Sequence, residues 1–407
     1  MSNYTKIKVY SILDKTILSC LFLYTLTFLL DIKVNFLTAA VCLGILKLFF
    51  VRPKIQISTK FFYIVGIFIT LSFLSIYLND VNSATSYNLA QYKSRFITPL
   101  TGLLIVFLFE FNRKRIILLL SGFSITFFIN AIVLIYQFIN NLSGRPTGLA
   151  SSYMLLCGMN LLILPVIFAM AINKSDIPLK LRFFFALTIL INIPAVLFSN
   201  TRIAWIGIFI SFIITGFLSV KNKKYFLSII AAFLIGLSLI FQVSPNLSQR
   251  FESIFSIKYE NQSNSERILM WNSALSMIKD HPLFGVGVGN YHDQYMNKYR
   301  SPMARENQWH PHNTILDIFA EGGVFTGLSF IAMFAYLYYS VIKSYRQTKD
   351  PLFLAYLASL IAYNINFLTD SMFAGHNIKQ PTTIFWLFTG IYFIVSQKIK
   401  ITYKEKL

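Results

Sequence analysis

Long apolar runs separated by short basic or polar junctions dominate this chain of 407 residues. An α-helix needs about 17–25 apolar residues to cross a hydrocarbon layer ~30 Å thick. Runs of that kind predict twelve membrane helices, over 16–32, 34–51, 59–78, 96–111, 116–139, 152–172, 183–200, 203–219, 225–242, 313–342, 351–369 and 382–397. The first run lacks a small-residue cleavage site and leads into Asp31-Ile-Lys-Val, so it reads as a retained helix. One polar stretch, 243–312, is long enough to be a separate feature. The pattern therefore divides the chain into helices one to nine (1–242), a large loop (243–312), and helices ten to twelve with a tail (313–407). Within the loop, Ser263-x-x-Glu266 is a capping-box pattern, and Ile268, Trp271, Leu275 and Ile278 recur at helical spacing. Together they predict a short amphipathic helix lying on the membrane surface.

Composition agrees and excludes the main alternatives. Hydrophobic residues make up 56% of the chain and charged residues 13%, with a mean hydropathy of +0.61. A soluble domain has ~45–50% apolar and ~25% charged residues, so an ordinary soluble fold is excluded. The net charge of +20 does not indicate nucleic-acid binding, which needs cations on one continuous face. Here they form knots between apolar runs: Lys6 and Lys8; Arg52 and Lys54; Arg113, Lys114 and Arg115; Lys221, Lys223 and Lys224; Lys398 and Lys400. Such knots orient membrane helices, because short cytoplasmic loops retain Lys and Arg.

Placing the N-terminus in the cytoplasm puts these knots on that side. It also puts there Lys174, Lys180 and Arg182, and Lys343, Arg346 and Lys349. Both termini are then cytoplasmic, and segments 79–95, 140–151, 201–202, 243–312 and 370–381 face outward. Cys20, Cys42 and Cys157 all lie in apolar runs, so no structural disulfide is expected.

The unusual polar residues collect on the outward side. Arg202, in Ser199-Asn-Thr-Arg-Ile-Ala-Trp, occupies a tight turn and runs against the charge bias. It is either a snorkelling interface residue or an anion site, since guanidinium grips phosphate in bidentate fashion. Arg267, at the start of the amphipathic helix, is a solvated charge or a second guanidinium on the same anion. His312, in His310-Pro-His-Asn-Thr-Ile-Leu, stands where the loop becomes the tenth span. The helix dipole there disfavours imidazolium, leaving a neutral ring able to accept a proton; helix capping is the bland alternative.

Asp317 and Glu321 lie further along that helix, as acids in an apolar run. They are functional groups or paired polar groups of the bundle interior. Lys93, Arg95 and Asp370 mark other outward helix ends; interface anchoring accounts for the first two. His281, His292, Asp293, His310 and His312 match no compact metal-ligand spacing. Gly285-Val-Gly-Val-Gly-Asn lacks the spacing of a dinucleotide fingerprint and reads as a glycine-driven turn.

These segments resemble the bacterial O-antigen ligases, within the superfamily shared with O-antigen polymerases. The most specific stretch is Asp280-His-Pro-Leu-Phe-Gly-Val-Gly-Val-Gly-Asn-Tyr, followed by Pro311-His-Asn-Thr-Ile-Leu. The family pattern continues from His-Asn through nine residues to Gly-x-x-Gly. Here Gly323 is in place and the second glycine, Gly327, falls one position late. Thr-Arg-Ile-Ala-Trp, and Ser-Glu-Arg before Ile268, resemble the family's two arginine segments.

The resemblance implies an all-α, GT-C-like membrane fold with a large periplasmic loop. It implies an inner-membrane glycosyltransferase that moves O-polysaccharide from undecaprenyl diphosphate to the lipid A–core, with no nucleotide sugar, no cofactor and no metal. By that resemblance His312 is the base, and Arg202 and Arg267 hold the diphosphate. Asn313, Lys93, Arg95 and Asp370 line the substrate path. Expected partners are the two glycolipids and membrane lipids, not nucleic acid. An O-antigen polymerase, with the same donor and another lipid-linked glycan as acceptor, is the nearest rival. A glycolipid transporter is the third reading, disfavoured because the polar outliers crowd one face rather than the midplane.

Overall fold

The computed structural model describes residues 3–30, 35–50, 59–81, 85–173, 177–255, 262–373 and 378–404. Regular structure among them is entirely helical. In chain order it comprises α1 (Asn3–Thr27), α2 (Phe36–Leu48), α3 (Thr59–Leu78), α4 (Thr85–Tyr92), α5 (Thr101–Leu108), α6 (Arg113–Ile139), α7 (Tyr153–Ile172) and α8 (Leu179–Phe198). It continues with α9 (Arg202–Ser219), α10 (Lys223–Val243), α11 (Pro245–Glu252), α12 (Gln262–Asp280), α13 (Tyr291–Gln294), α14 (Thr314–Thr348), α15 (Pro351–Asn366) and α16 (Gln380–Lys404). Among the described residues, seven helices are long and apolar enough to cross a membrane: α1, α3, α6, α7, α8, α9 and α14. Two shorter ones, α2 and α15, are also apolar. This is a multi-pass, all-helical membrane protein. The Asp31-Ile-Lys-Val junction, the Arg52 and Lys54 knot, and Lys174 lie outside the described residues.

Every predicted apolar run overlaps a helix, but three differ in shape. The first helix starts at Asn3 and so carries Asp14 into the bundle. Asp14 is buried against Lys47 of α2 and Arg115 of α6; two cations holding one carboxylate let the polar start of α1 pack inside. Run 96–111 is not one helix. A π-helical turn (Lys93–Ile97) and a 3-10 turn (Thr98–Leu100) precede α5. Pro99 has no N–H to donate to the preceding turn, which breaks the α-ladder there.

Run 313–342 is broken as well, at Gly323, whose φ of 75° and ψ of −176° lie outside helical space. The Gly-rich segment is what fills the break. Val286 N donates to Ala320 O (2.8 Å), Gly287 N to Glu321 O (2.9 Å), and Val324 N to Pro282 O (2.8 Å). Backbone groups released by the kink are thus satisfied by the loop, as burial requires. Gly285, Gly287 and Gly289 all have positive φ, so the glycine-driven turn is borne out and its purpose is helix packing.

Helix α7 is apolar on every side and nearly wholly buried, the pattern of a central helix; it packs on α8, α9 and α15. Helix α12 packs on α14, its buried Met270, Ala274 and Met277 sharing one apolar cluster with Ala320. Glu266 and Ser273 are buried on the same helix and bond the loop at Arg305 N and Tyr299 O. The anticipated apolar stripe faces the other way, with Ile268 39% and Leu275 52% exposed. Ser263 is not the N-cap of this helix, because the helix already begins at Gln262. Its hydroxyl bonds Arg202 instead.

Candidate functional site

A cavity of about 450 Å³ lies where the turn before α9, the loop after α6, α11, α12 and the segments flanking α14 and α15 meet. Its walls include four guanidinium groups, Arg145, Arg202, Arg250 and Arg267, together with His312 and Asp370. The three residues that carry the sequence argument, Arg202, Arg267 and His312, are therefore brought into one cavity.

Arg202 is the first residue of α9. A cation at the positive end of a helix dipole gains nothing from that dipole, so local helix stability does not explain it. Its Nη1 donates to Ser253 O (2.7 Å) and Ser253 Oγ (3.1 Å), and its Nη2 to Ser263 Oγ (3.0 Å) and Asn264 Oδ1 (3.0 Å). All four acceptors are neutral, so the side chain ties the loop to α9 while its charge stays uncompensated. Arg267 is largely enclosed; its Nη1 reaches Ser263 Oγ at 3.4 Å and its Nε has no partner. Burial pulls Arg267 below the usual guanidinium range, and the Asp370 carboxylate pulls it partly back.

Arg145 and Arg250 are additions that sequence reasoning missed. Arg145 stacks over the Tyr153 ring, 4.8 Å from its centroid, and Arg250 Nε donates to Asn200 O (3.2 Å). Burial, then the guanidiniums of Arg145 and Arg267, lower Arg250. Among the described residues none of the four arginines makes an ion pair with a carboxylate. Arg202 is buried, Arg250 and Arg267 are partly buried and Arg145 is exposed; Glu266 and Glu306 also line the cavity. Enclosing a guanidinium without an ion-pair partner is costly, and the arrangement fits a cavity that receives an anion. Both residues sit in polar junctions, where a single arginine resembles any other loop cation; only their opposition to the outward charge bias could have marked them.

His312 adopts φ = 49°, a left-handed conformation uncommon for a residue with a side chain. It is not the cap of α14: Asn313 is, with Oδ1 accepting from Leu316 N (3.0 Å). The His312 ring lies between two groups. Nδ1 is 3.4 Å from Asp370 Oδ1, and Nε2 is 3.3 Å from Gln308 Oε1. Burial alone would raise the Asp370 carboxyl, but His312 and then His310 hold it below its ordinary value. The Asp370 carbonyl accepts from Thr314 N (3.0 Å) and Thr314 Oγ1 (2.8 Å), stapling the aspartate to the helix that His312 introduces.

The remaining expectations divide. Asn313 does not line the cavity; its side chain caps α14 and reaches Leu368 O at 3.4 Å. Lys93 is exposed and outside the cavity. Arg95 is no interface anchor: it is 2% exposed and forms ion pairs with Glu321 (2.6 Å) and Asp317 (3.2 Å). Asp317 and Glu321 are thus ion-paired in the interior. The histidine cluster is resolved by tertiary contact rather than spacing. His310, His312 and Asp370 offer ligand atoms within 4.8 Å of one another, the arrangement among the described residues that could hold a cation. Two nitrogens and one oxygen suit zinc or a similar ion.

A second, almost wholly apolar cavity of about 550 Å³ opens between α8, α9 and α10. Ile206 and Ile254 line both cavities, so the apolar space adjoins the arginine-rich one.

Comparison with known proteins places the same stretch. Residues 183–331 match the family model described as O-antigen ligase. The matched region contains Arg202, Arg250, Arg267 and His312, and bears out the resemblance noted above. Proteins provisionally named polysaccharide ligases are similar in sequence. That of Rickettsia typhi is 29% identical over 188 residues, covering 44% of this chain and 42% of the relative. That of Rickettsia prowazekii matches to the same extent, and that of Rickettsia conorii is 30% identical over 200 residues, covering 46% and 43%. The chain thus spans less than half the length of the curated relatives it matches.

Proposed function

We propose that this chain is a glycosyltransferase of the O-antigen ligase type, carrying a glycan from undecaprenyl diphosphate to a hydroxyl of the lipid A–core. The observation that carries the reading is the convergence of four unpaired guanidiniums with a His312–Asp370 pair in one cavity. In this reading the twelve apolar runs all cross the membrane, both termini are cytoplasmic, and the 243–312 segment is the periplasmic loop over an inner-membrane active site. A lipid-linked diphosphate needs a cationic site beside an apolar one, and the two adjoining cavities supply that pairing. The isoprenoid tail occupies the space between α8, α9 and α10, and the diphosphate lies among the arginines.

The reaction then balances simply. The acceptor oxygen attacks the anomeric carbon, the bond from that carbon to the diphosphate breaks, and the bonding pair stays on the diphosphate oxygen. His312 takes the acceptor proton, with Asp370 orienting the ring and stabilising the imidazolium as it forms. Arginines facing the leaving group stabilise charge that grows as the bond breaks, an effect commonly worth about 3–4 kcal/mol per donor.

The test is transfer by the purified full chain in detergent, with undecaprenyl-diphosphate oligosaccharide as donor and lipid A–core as acceptor. Product joined to lipid A–core supports the ligase. Product joined only to a second lipid-linked glycan makes it a polymerase, and no transfer with either acceptor overturns the proposal.

A further inference from the structure

We infer that Arg95 is a positioning residue, which aims His312 by holding the first half of α14 as a separate, rigid mount. The inference rests on the functional reading only in what it says of activity.

The break at Gly323 detaches residues 314–322 from the long second half of α14. A helix of so few residues is marginal by itself, because nucleation is unfavourable and few hydrogen bonds follow it. Something outside must fix its angle, and the structure supplies three ties. Thr314 is bonded at the start to the backbone of Asp370. Ala320 and Glu321 are bonded at the end by Val286 and Gly287. Between them, Arg95 reaches in from the π-helical turn before α5 and grips two successive turns, through Asp317 and Glu321. Both its side chain and that of Asp317 are wholly buried.

Glu321 also accepts from Tyr291 N (3.2 Å), so one carboxylate joins Arg95, the mount and the Gly-rich loop. None of Arg95, Asp317 and Glu321 lines the cavity; the triad stands behind the site rather than in its wall. The planar guanidinium is what lets one side chain hold two carboxylates at fixed directions, whereas an ammonium is a single point charge on a flexible stem. Lysine at position 95 would keep the charge and lose the aim.

The experiment uses the full chain in detergent, as Arg95→Lys and Arg95→Met, with three readouts: kcat and KM for donor, thermal unfolding, and hydrogen exchange of peptides covering 312–322. The expected result for Arg95→Lys is an unfolding temperature close to wild type, an unchanged donor KM and a kcat lower by about 10–100-fold, the scale of a misplaced reacting group. Faster exchange confined to 312–322 accompanies it. Arg95→Met shows a larger loss of kcat and faster exchange over 312–322, with a lowered unfolding temperature, because Asp317 and Glu321 lose their buried counter-ion. Should it fail to fold, Glu321→Gln, which keeps the shape and one ion pair, carries the test by the same measurements. Wild-type kcat in Arg95→Lys, unchanged exchange over 312–322, or a loss of rate matched by the loss of folded protein overturns the inference. A wild-type chain that transfers no glycan defeats the functional reading instead, and the exchange measurement still decides the role of Arg95.

Discussion

Asp370 faces His312 with its side chain, Oδ1 to Nδ1 at 3.4 Å, and holds Thr314 with its backbone carbonyl. One residue therefore both faces the ring and anchors the helix that follows it. Asp370→Asn keeps the shape and the backbone staple but removes the charge that favours a proton on Nδ1. We expect kcat to fall by up to about 10⁴-fold, the loss seen when a triad's carboxylate becomes an amide, with donor KM little changed. The folded-state pKa of Asp370 is lowered. Its contribution to stability is therefore present above the unfolded carboxylate value of about 3.9 and is lost only as pH falls through the lower folded value. The pH–rate profile at neutral pH should show no limb from Asp370.

His312→Ala should abolish transfer while thermal unfolding stays near wild type, because the ring is partly exposed at the cavity wall and Asn313, not His312, caps α14. Normal transfer in this variant would remove His312 as the base.

Arg145→Ala and Arg250→Ala should each raise donor KM, measured by initial rates at several ionic strengths. Both side chains make few bonds within the protein, so folding should survive. Partly exposed charges are screened over ~8 Å at physiological salt. Wild-type KM should therefore rise with salt, and the rise should be shallower in either variant. Arg202→Lys should be worse than both, because it also releases Ser253, Ser263 and Asn264.

Chelation separates two uses of His310, His312 and Asp370, whose ligand atoms lie within 4.8 Å. If His312 is a base, EDTA leaves transfer unchanged and added zinc inhibits by occupying the ring nitrogens. Loss of transfer with EDTA, restored by a divalent ion, would instead make the three residues a cation site.

Gly323→Ala should destabilise the fold by more than about 1 kcal/mol, since alanine is strained at positive φ. Its Cβ would also run into the Leu283 carbonyl oxygen. Thermal unfolding in detergent measures the first effect, and a fall in kcat beyond the loss of folded protein would report a disturbed mount.

The chain's one-dimensional pattern determined the helices. Apolar length and basic punctuation are local properties, and a helix in lipid satisfies its own backbone regardless of its neighbours. The pattern also marked Arg202, Arg267 and His312, because a charge or an imidazole beside an apolar run is anomalous wherever it is read. Only the tertiary structure decided what those residues meet. Arg145 and Arg250 join the cavity from junctions that look ordinary in sequence. Asp370 reaches His312 from the far end of α15, and Arg95 turns inward to two carboxylates that hydropathy alone could place only inside an apolar run. The break at Gly323 belongs to the same class: a single glycine in a long apolar run is compatible with a straight helix, and it is the backbone of 282–287, docking from elsewhere in the chain, that makes the interrupted form the satisfied one. Convergence depends on packing between distant segments, and packing has no signature in the spacing of any one of them.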